Sequence, residues 1–186
     1  YRPGVAAYPE HRATDIVLRD GSTVHVRPVR REDEAAVRAF LEGLSPDATR
    51  LRFFSGAADL QWAAHHATEV DYGDRDGLVA TVGDQRVVAH AEYVRAGEDD
   101  AEVAFAVADA YQGRGLGTIL LAHLAQSAAA HGIESFRAEV LPENYRMLEV
   151  FRESGFPTTR HILPGSIAVQ SATDIRFVAR AFPTSL

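Results

Sequence analysis

Residues 101–118 constrain the fold most, because a strand pattern runs through a glycine-rich loop directly into a helix pattern. Bulky and small side chains alternate along the strand part, which is typical of a strand with one filled and one bare face. Three glycines stand at alternate positions in the loop: Gly113, Gly115 and Gly117. Glycines let backbone N–H groups approach a ligand closely, and a helix start adds unpaired donors and the positive end of its dipole. The segment therefore predicts a phosphate-binding site.

Two other glycine-rich nucleotide sites differ from this loop in detail. The pattern G-x-x-x-x-G-K-[ST] is absent, so the lysine of the phosphate loop has no counterpart. In the dinucleotide pattern a third glycine would fall at Thr118, although Glu139 lies near the distance expected for a ribose-binding acid. Spacing leaves this alternative open. However, a single crossover in a largely antiparallel chain does not build the doubly wound sheet on which such cofactors lie.

Hydrophobic periodicity predicts a mixed α/β chain. Two antiparallel hairpins are expected, one over 15–28 around the turn signal Asp20-Gly21 and one over 77–94. Helices are predicted over 31–44, 46–54, 59–69, 115–131 and 144–153, and further strands over 102–107, 135–141 and within 158–181. The chain thus contains one strand–helix–strand crossover, at 102–141.

Composition indicates one globular domain. The 186 residues include no cysteine, which excludes disulfides, thiol nucleophiles and iron–sulfur ligation. The net charge of −7 argues against generic nucleic-acid binding. Neither a membrane span nor a signal peptide is visible, so a cytoplasmic protein without membrane or nucleic-acid partners is expected. Residues 1–14 are interpreted as an extension or linker, and residues 15–186 as the domain.

Other common catalytic patterns are not found. The adjacent His65 and His66 point to different helix faces, and the eight histidines show no metal-ligand spacing, so no metal site is expected. A G-x-S-x-G serine elbow is absent. Trp62 and the pair Phe53-Phe54 are interpreted as packing residues.

The glycine loop and a later block resemble the GNAT N-acetyltransferase superfamily. The run Gln112-Gly113-Arg114-Gly115-Leu116-Gly117 matches that superfamily's Q/R-x-x-G-x-G/A acyl-CoA signature. An Asn-led helix from Asn144 to Gly155-Phe156 looks like its second conserved block. The resemblance covers the chain from about Asp15. It implies an α/β (α+β) fold with a mixed, mostly antiparallel central sheet flanked by helices, whose central strands splay at the acyl-CoA site.

The resemblance implies acetyl-CoA as cosubstrate. The strand backbone at 105–107 would pair with the pantetheine arm, the loop 112–118 would hold the pyrophosphate, and Asn144 would hydrogen-bond the arm. Asn144 is equally well suited to cap its helix, and both roles can hold at once. The implied cofactor-binding residues are Phe105, Ala106, Val107, Gln112, Gly113, Arg114, Gly115, Leu116, Gly117, Thr118 and Asn144.

A narrower resemblance concerns the acceptor. The segments 15–21, 26–28, 44–45 and 51–54 look like the acetyltransferase part of bacterial Pat-type protein lysine acetyltransferases. This implies transfer of acetyl to a protein lysine, with an AMP-forming acyl-CoA synthetase as the protein. It also implies that the first helices, including residues 44–54, border the acceptor groove. A small-molecule amine N-acetyltransferase and a non-catalytic acyl-CoA-sensing module stay open as alternatives.

Acetyl transfer to lysine needs a general base, because only about 0.04% of a free lysine is neutral at pH 7. By resemblance this base is Glu102, acting directly or through a water; the alternative is an exposed glutamate in an ion pair. Reserve candidates are Glu92, Glu139 and His90. Many GNAT enzymes carry a tyrosine acid where this chain has Phe151, and Tyr145 is not its equivalent, so no general acid is assigned.

Overall fold

The computed structural model describes residues 6–54 and 57–174. Within them one sheet carries helices on both faces. Its strands are β1 (Thr14–Val17), β2 (Thr23–Pro28), β3 (Arg75–Val82), β4 (Arg86–Arg95), β5 (Asp100–Val107), β6 (Ser135–Val140), β7 (Thr158–Leu163) and β8 (Ser166–Ala172). The helices are α1 (Glu34–Glu42), α2 (Pro46–Phe53), α3 (Leu60–Thr68), α4 (Leu116–Ala130) and α5 (Tyr145–Glu153). The predicted strand residues 175–181 lie outside the described residues.

The strand order confirms the predicted topology. The sheet runs β1-β2-β3-β4-β5-β6-β8-β7. All neighbouring strands are antiparallel except β5 and β6, which are parallel and joined through α4. Residues 100–102 of β5 pair with 135–137 of β6, and the register ends there, whereas β4 pairs with β5 as far as Val107. The two central strands therefore splay beyond Glu102, as expected.

The sheet separates two apolar cores. On one face α4 and α5 cover a core that includes Leu120, Phe136 and Phe151. On the other face α1 and α3 cover a smaller core around Val37 and Val79. The smaller core does not extend over β6, and Glu102 of β5 and Glu139 of β6 are exposed. The splay is therefore open to solvent on that face of the sheet.

The first helix is shorter than the predicted span 31–44. It covers 34–42, and residues 31–33 form a tighter 3-10 turn. Asp33 explains the difference, because its Oδ2 accepts hydrogen bonds from the Arg30 backbone amide and the Arg27 guanidinium, both at 2.7 Å. Burial disfavours the charged carboxylate, yet these bonds hold the pKa of Asp33 below its ordinary value.

The segment before β1 packs against the sheet. Tyr8 donates its hydroxyl to the Pro28 carbonyl at 2.9 Å, and Arg12 forms a 2.8 Å ion pair with the buried Asp76. Asp76 also accepts a hydrogen bond from Ser127 of α4 at 2.6 Å. The division of the chain at residue 14 stays a prediction. Among the helices in 6–54 and 57–174, none has the length and apolar character to cross a bilayer.

Candidate active site

Two cavities meet where β5 and β6 separate. The first, of about 630 Å³, lies between α2, the glycine loop and the start of α5. The second, of about 570 Å³, lies between α2, α3 and one face of β4 to β8. Both cavities are lined by Arg52, Val103, Ala104 and Glu139. One molecule can therefore enter from each side, and the two can touch at the splay.

The glycines of the loop have two different structural roles. Gly113 and Gly115 adopt φ values of +75° and +85°, a region that other residues rarely adopt. At Gly117 a Cβ would lie 3.0 Å from Cγ2 of Val150, so this glycine allows α4 to approach α5 closely. Because α4 begins at Leu116, the unpaired N–H groups of its first turn lie at this loop.

Ten of the eleven residues implied to bind the cofactor line the first cavity. They are Phe105, Ala106, Val107, Gln112, Gly113, Gly115, Leu116, Gly117, Thr118 and Asn144. The structure thus brings them together, while their contacts with a cofactor stay a prediction. Gln112 also donates from Nε2 to the Val107 carbonyl at 3.1 Å, which ties the loop to the end of β5.

Arg114 is the exception. Its guanidinium forms a 2.9 Å ion pair with Asp20 of the β1–β2 turn and lies 5.0 Å from the centre of the Tyr111 ring. Arg114 does not line the first cavity. The predicted charge-assisted contact of Arg114 with a phosphate would therefore need its side chain to leave Asp20.

Two other arginines lie beside the glycines. Arg19 Nε is 3.2 Å from the place of a Cβ on Gly115, and Arg146 Nη1 is 3.3 Å from that on Gly113. Both side chains line the first cavity. Arg19 pairs with Glu153 at 3.1 Å, whereas Arg146 has no hydrogen bond or ion pair to the residues the structure describes. An unpaired guanidinium beside such a loop suits a phosphate.

The Asn-led block provides a cap and a core residue. Asn144 Oδ1 accepts a 3.2 Å hydrogen bond from the Met147 amide, so Asn144 caps α5 while it lines the first cavity. Phe151 is fully buried, with its ring centre 6.0 Å from that of Phe105. Tyr145 lines the first cavity and is largely exposed.

Glu102 lies in the second cavity, on the same face of β5 as Ala104. It is the third residue of β5 rather than the first, because the strand begins at Asp100. Glu102 is also the last residue of β5 that pairs with β6, so it stands at the point of the splay. Glu102 has no ion-pair partner among residues 6–54 and 57–174. The described residues therefore do not support the alternative that Glu102 serves only in a structural ion pair.

The reserve candidates for the base have different surroundings. Glu92 lines the second cavity but is paired with Arg52 at 3.0 Å. Glu139 accepts a 2.7 Å hydrogen bond from the Ser166 hydroxyl. His90 is buried and lines neither cavity, and burial lowers its pKa. Of these carboxylates, Glu102 alone has neither an ion pair nor a hydrogen bond to the described residues.

Trp62 corrects one interpretation of the sequence. It was expected to be a packing residue, but 61% of its surface is exposed and it lines the second cavity. Phe53 does pack against the smaller core, and it also lines the second cavity, as does Arg52. No group of metal-ligating side chains is found in the part of the chain that the structure describes.

Sequence analysis did not identify the two arginines beside the glycine loop, and the sequence gives different amounts of information about them. Arg146 stands inside the Asn-led block that the sequence analysis singled out, so its position near the glycine loop could have been inferred from the sequence. Arg19 reaches Gly115 only because the β1–β2 hairpin lies beside the glycine loop, where the Arg19 amide bonds to the Arg114 carbonyl at 3.5 Å. That placement depends on tertiary packing, for which the hairpin's local pattern gives no sign.

Comparison with known proteins gives one family. The profile of the acetyltransferase (GNAT) family matches residues 37–156. The crystal structure of the GNAT domain of S. lividans PAT superimposes with a TM-score of 0.81 and 38% identity, covering 89% of this chain and 99% of that one.

Two curated relatives are acetyltransferases. Acetyltransferase Pat of Mycolicibacterium smegmatis is 35% identical over 144 residues, which are 75% of this chain and 43% of that protein. Acetyltransferase PA5475 of Pseudomonas aeruginosa is 31% identical over 144 residues, which are 75% of this chain and 77% of that protein. The chain therefore spans less than half of Pat.

Proposed function

Because the chain belongs to the GNAT acetyltransferase family and is an acetyl-CoA-dependent acetyltransferase, we propose that it acetylates a lysine side chain of another protein. The similarity to the Pat proteins supports a protein acceptor. Since Pat itself extends well beyond the matched region, the proposal concerns the transfer reaction and not the activity of the longer protein. As the acceptor we propose an AMP-forming acyl-CoA synthetase, on the Pat-like segments of the sequence.

One observation carries the proposal: Glu102, which forms no ion pair with the described residues, lines the second cavity next to the splay, where the first cavity ends. A lysine that enters from the second side brings its amine to the junction of the two cavities. The donor would lie in the first cavity, whose glycine loop and Arg146 suit its phosphates. The two reacting groups would then be held together without a covalent enzyme intermediate.

In the proposed mechanism Glu102 removes a proton from the lysine ammonium, directly or through a water. The neutral amine attacks the thioester carbonyl and forms the C–N bond. The nitrogen then gives its extra proton to solvent, and the C–S bond breaks as the amide forms. The thiolate of CoA leaves and takes a proton from solvent, which a thiol with a pKa near 8.5 permits without a dedicated acid. This fits the presence of buried Phe151 at the place where other GNAT enzymes carry a tyrosine.

The Glu102→Gln variant tests the function. We expect kcat for the acetylation of purified acyl-CoA synthetase to fall about 100-fold or more, because a positioned base contributes that much. The KM for acetyl-CoA should stay within about twofold. The rate of the variant should rise roughly tenfold per pH unit below the lysine pKa, since solvent must then supply the neutral amine. Acetylation is measured with labelled acetyl-CoA and located by mass spectrometry.

Glu98→Gln is the matched control, because Glu98 is exposed in the turn before β5 and lines neither cavity. It should leave the rate unchanged. A small-amine panel runs alongside: turnover of small amines without labelling of any protein would overturn the proposed acceptor class. An unchanged rate in Glu102→Gln would overturn the assignment of the base.

A further inference from the structure

An exposed and fixed aromatic ring stands at the mouth of the second cavity. The ring of Trp62 stacks on that of His66, with centroids 4.6 Å apart and planes 15° apart. His66 is held in turn, because Nη2 of Arg75 donates to its Nε2 at 2.5 Å and to its carbonyl at 3.3 Å. Since the ring is positioned in advance, a ligand that covers it loses little side-chain entropy.

A second apolar side chain faces the same cavity from the β7–β8 hairpin. His161 and Leu163 of β7 line the cavity, and Leu163 is 44% exposed. Trp62 and Leu163 together are called the acceptor rim. Large apolar side chains left exposed beside a cavity are typical of a surface that binds a partner.

The charges below the rim favour a cationic partner. Three of the charged side chains that line the cavity are neutralised in ion pairs: Arg52 and Glu92 with each other, and Arg137 with Asp100. By contrast, Glu102 and Glu139 line the cavity without an ion pair to the described residues. The cavity floor is therefore negative while its rim is apolar.

We propose that the acceptor rim binds the polypeptide on either side of the target lysine and selects lysines with an apolar neighbour, an inference that rests on the proposed function. The lysine ammonium meets the negative floor, its aliphatic stem follows the cavity wall, and the neighbouring side chain covers Trp62 and Leu163. A free polyamine would satisfy the floor alone and would leave both rim residues exposed. The combination of charge and apolar surface thus favours a polypeptide.

The hairpin contains its own control residue. Successive side chains of a strand point to opposite faces, so Ile162 points away from the cavity that His161 and Leu163 line. Ile162 is 88% exposed, even more than Leu163. A substitution of Ile162 therefore removes an equal apolar side chain from the same hairpin without touching the rim.

Trp62 is the only tryptophan in the sequence, so its fluorescence reports on the rim directly. The Glu102→Gln enzyme with CoA bound is titrated with two short capped peptides, one with lysine between leucines and one with lysine between serines. We expect the leucine peptide to shift the Trp62 emission to the blue and to bind about tenfold more tightly or better than the serine peptide. Spermidine should cause no shift.

Kinetics with active enzyme complete the test. Trp62→Ala and Leu163→Ser should raise the KM for the leucine peptide about tenfold at nearly constant kcat, whereas Ile162→Ser should change neither. Thermal unfolding verifies that each variant folds. A blue shift in the titration, together with no acetyl transfer by the wild-type enzyme, would overturn the proposed function and support peptide binding at the acceptor rim. Transfer without a shift, a shift caused by spermidine, or equal KM values for Trp62→Ala and wild type would overturn the rim.

Discussion

At the scale of single residues, pairing decides which charged groups remain available to a substrate. Glu92 and Glu102 both face the second cavity, but Glu92 is held by Arg52 and Glu102 is not paired within the described residues. The same distinction separates the arginines near the glycine loop. Arg114 is held by Asp20, whereas Arg146 has no hydrogen bond or ion pair to residues 6–54 and 57–174. Cofactor binding at Arg146 is thus the interpretation that the geometry favours.

The Arg146→Met variant tests this assignment, since methionine keeps most of the apolar stem and removes the guanidinium. We expect the KM for acetyl-CoA to rise tenfold or more, because a hydrogen bond to a charged group contributes roughly 1.5–3 kcal/mol. Initial rates give the KM, and calorimetric titration with CoA gives the affinity without turnover.

Arg152→Met is the control on the same helix, because Arg152 pairs with Glu149 and lines neither cavity. Its KM should equal that of wild type. Arg114→Met tests the competing sequence-based prediction. A larger loss of affinity in Arg114→Met than in Arg146→Met would show that Arg114 leaves Asp20 to bind the phosphate.

At the scale of elements, local sequence patterns predicted most of the fold and part of the site. The hairpins, the crossover and the glycine loop follow from periodicity and turn residues close together in the chain. The short 3-10 start of α1 does not, because Asp33 is drawn into a buried pair with Arg27 on β2. The exposure of Trp62 was also not predicted from local sequence, since it depends on which helix faces the gap between β5 and β6.

The contact between α4 and α5 gives a prediction at this scale. In Gly117→Ala the new methyl group would press on Val150, so the free energy of unfolding should fall despite the better helix propensity of alanine. In a Val150→Ala background the same change should instead raise the free energy of unfolding, because the clash is gone and the propensity gain remains. The gain should stay below about 1 kcal/mol, the value for a helix interior, because Gly117 is only the second residue of α4. Urea unfolding of the four proteins measures both effects.

The sign reversal is the decisive result. If Gly117→Ala has the same effect in both backgrounds, Val150 is not what requires glycine at this position. The affinity for CoA should also fall in Gly117→Ala, because Arg146 of α5 and its capping residue Asn144 line the first cavity.

At the scale of the whole molecule, the two cavities predict the kinetic order. In the proposed reaction donor and acceptor would enter from different sides and meet at the splay, and the chain has no cysteine to carry the acetyl group. Double-reciprocal plots should therefore intersect, as expected for direct transfer in a ternary complex. Parallel lines, together with label that stays on the denatured enzyme, would indicate an acetyl-enzyme intermediate instead.

The interrupted register between β5 and β6 also bears on how long the folded protein survives in a cell. Beyond Glu102, β5 has no hydrogen-bonded neighbour on the side of β6. An extended donor arm that lay there would take the place of the missing strand. A ligand bound only by the native state adds about 2.7 kcal/mol to the free energy of unfolding at 100 times its Kd. Proteases act on transiently unfolded chains, so we expect proteolytic degradation of this protein to slow when acetyl-CoA is abundant. Metabolic supply would then set the amount of enzyme as well as its rate.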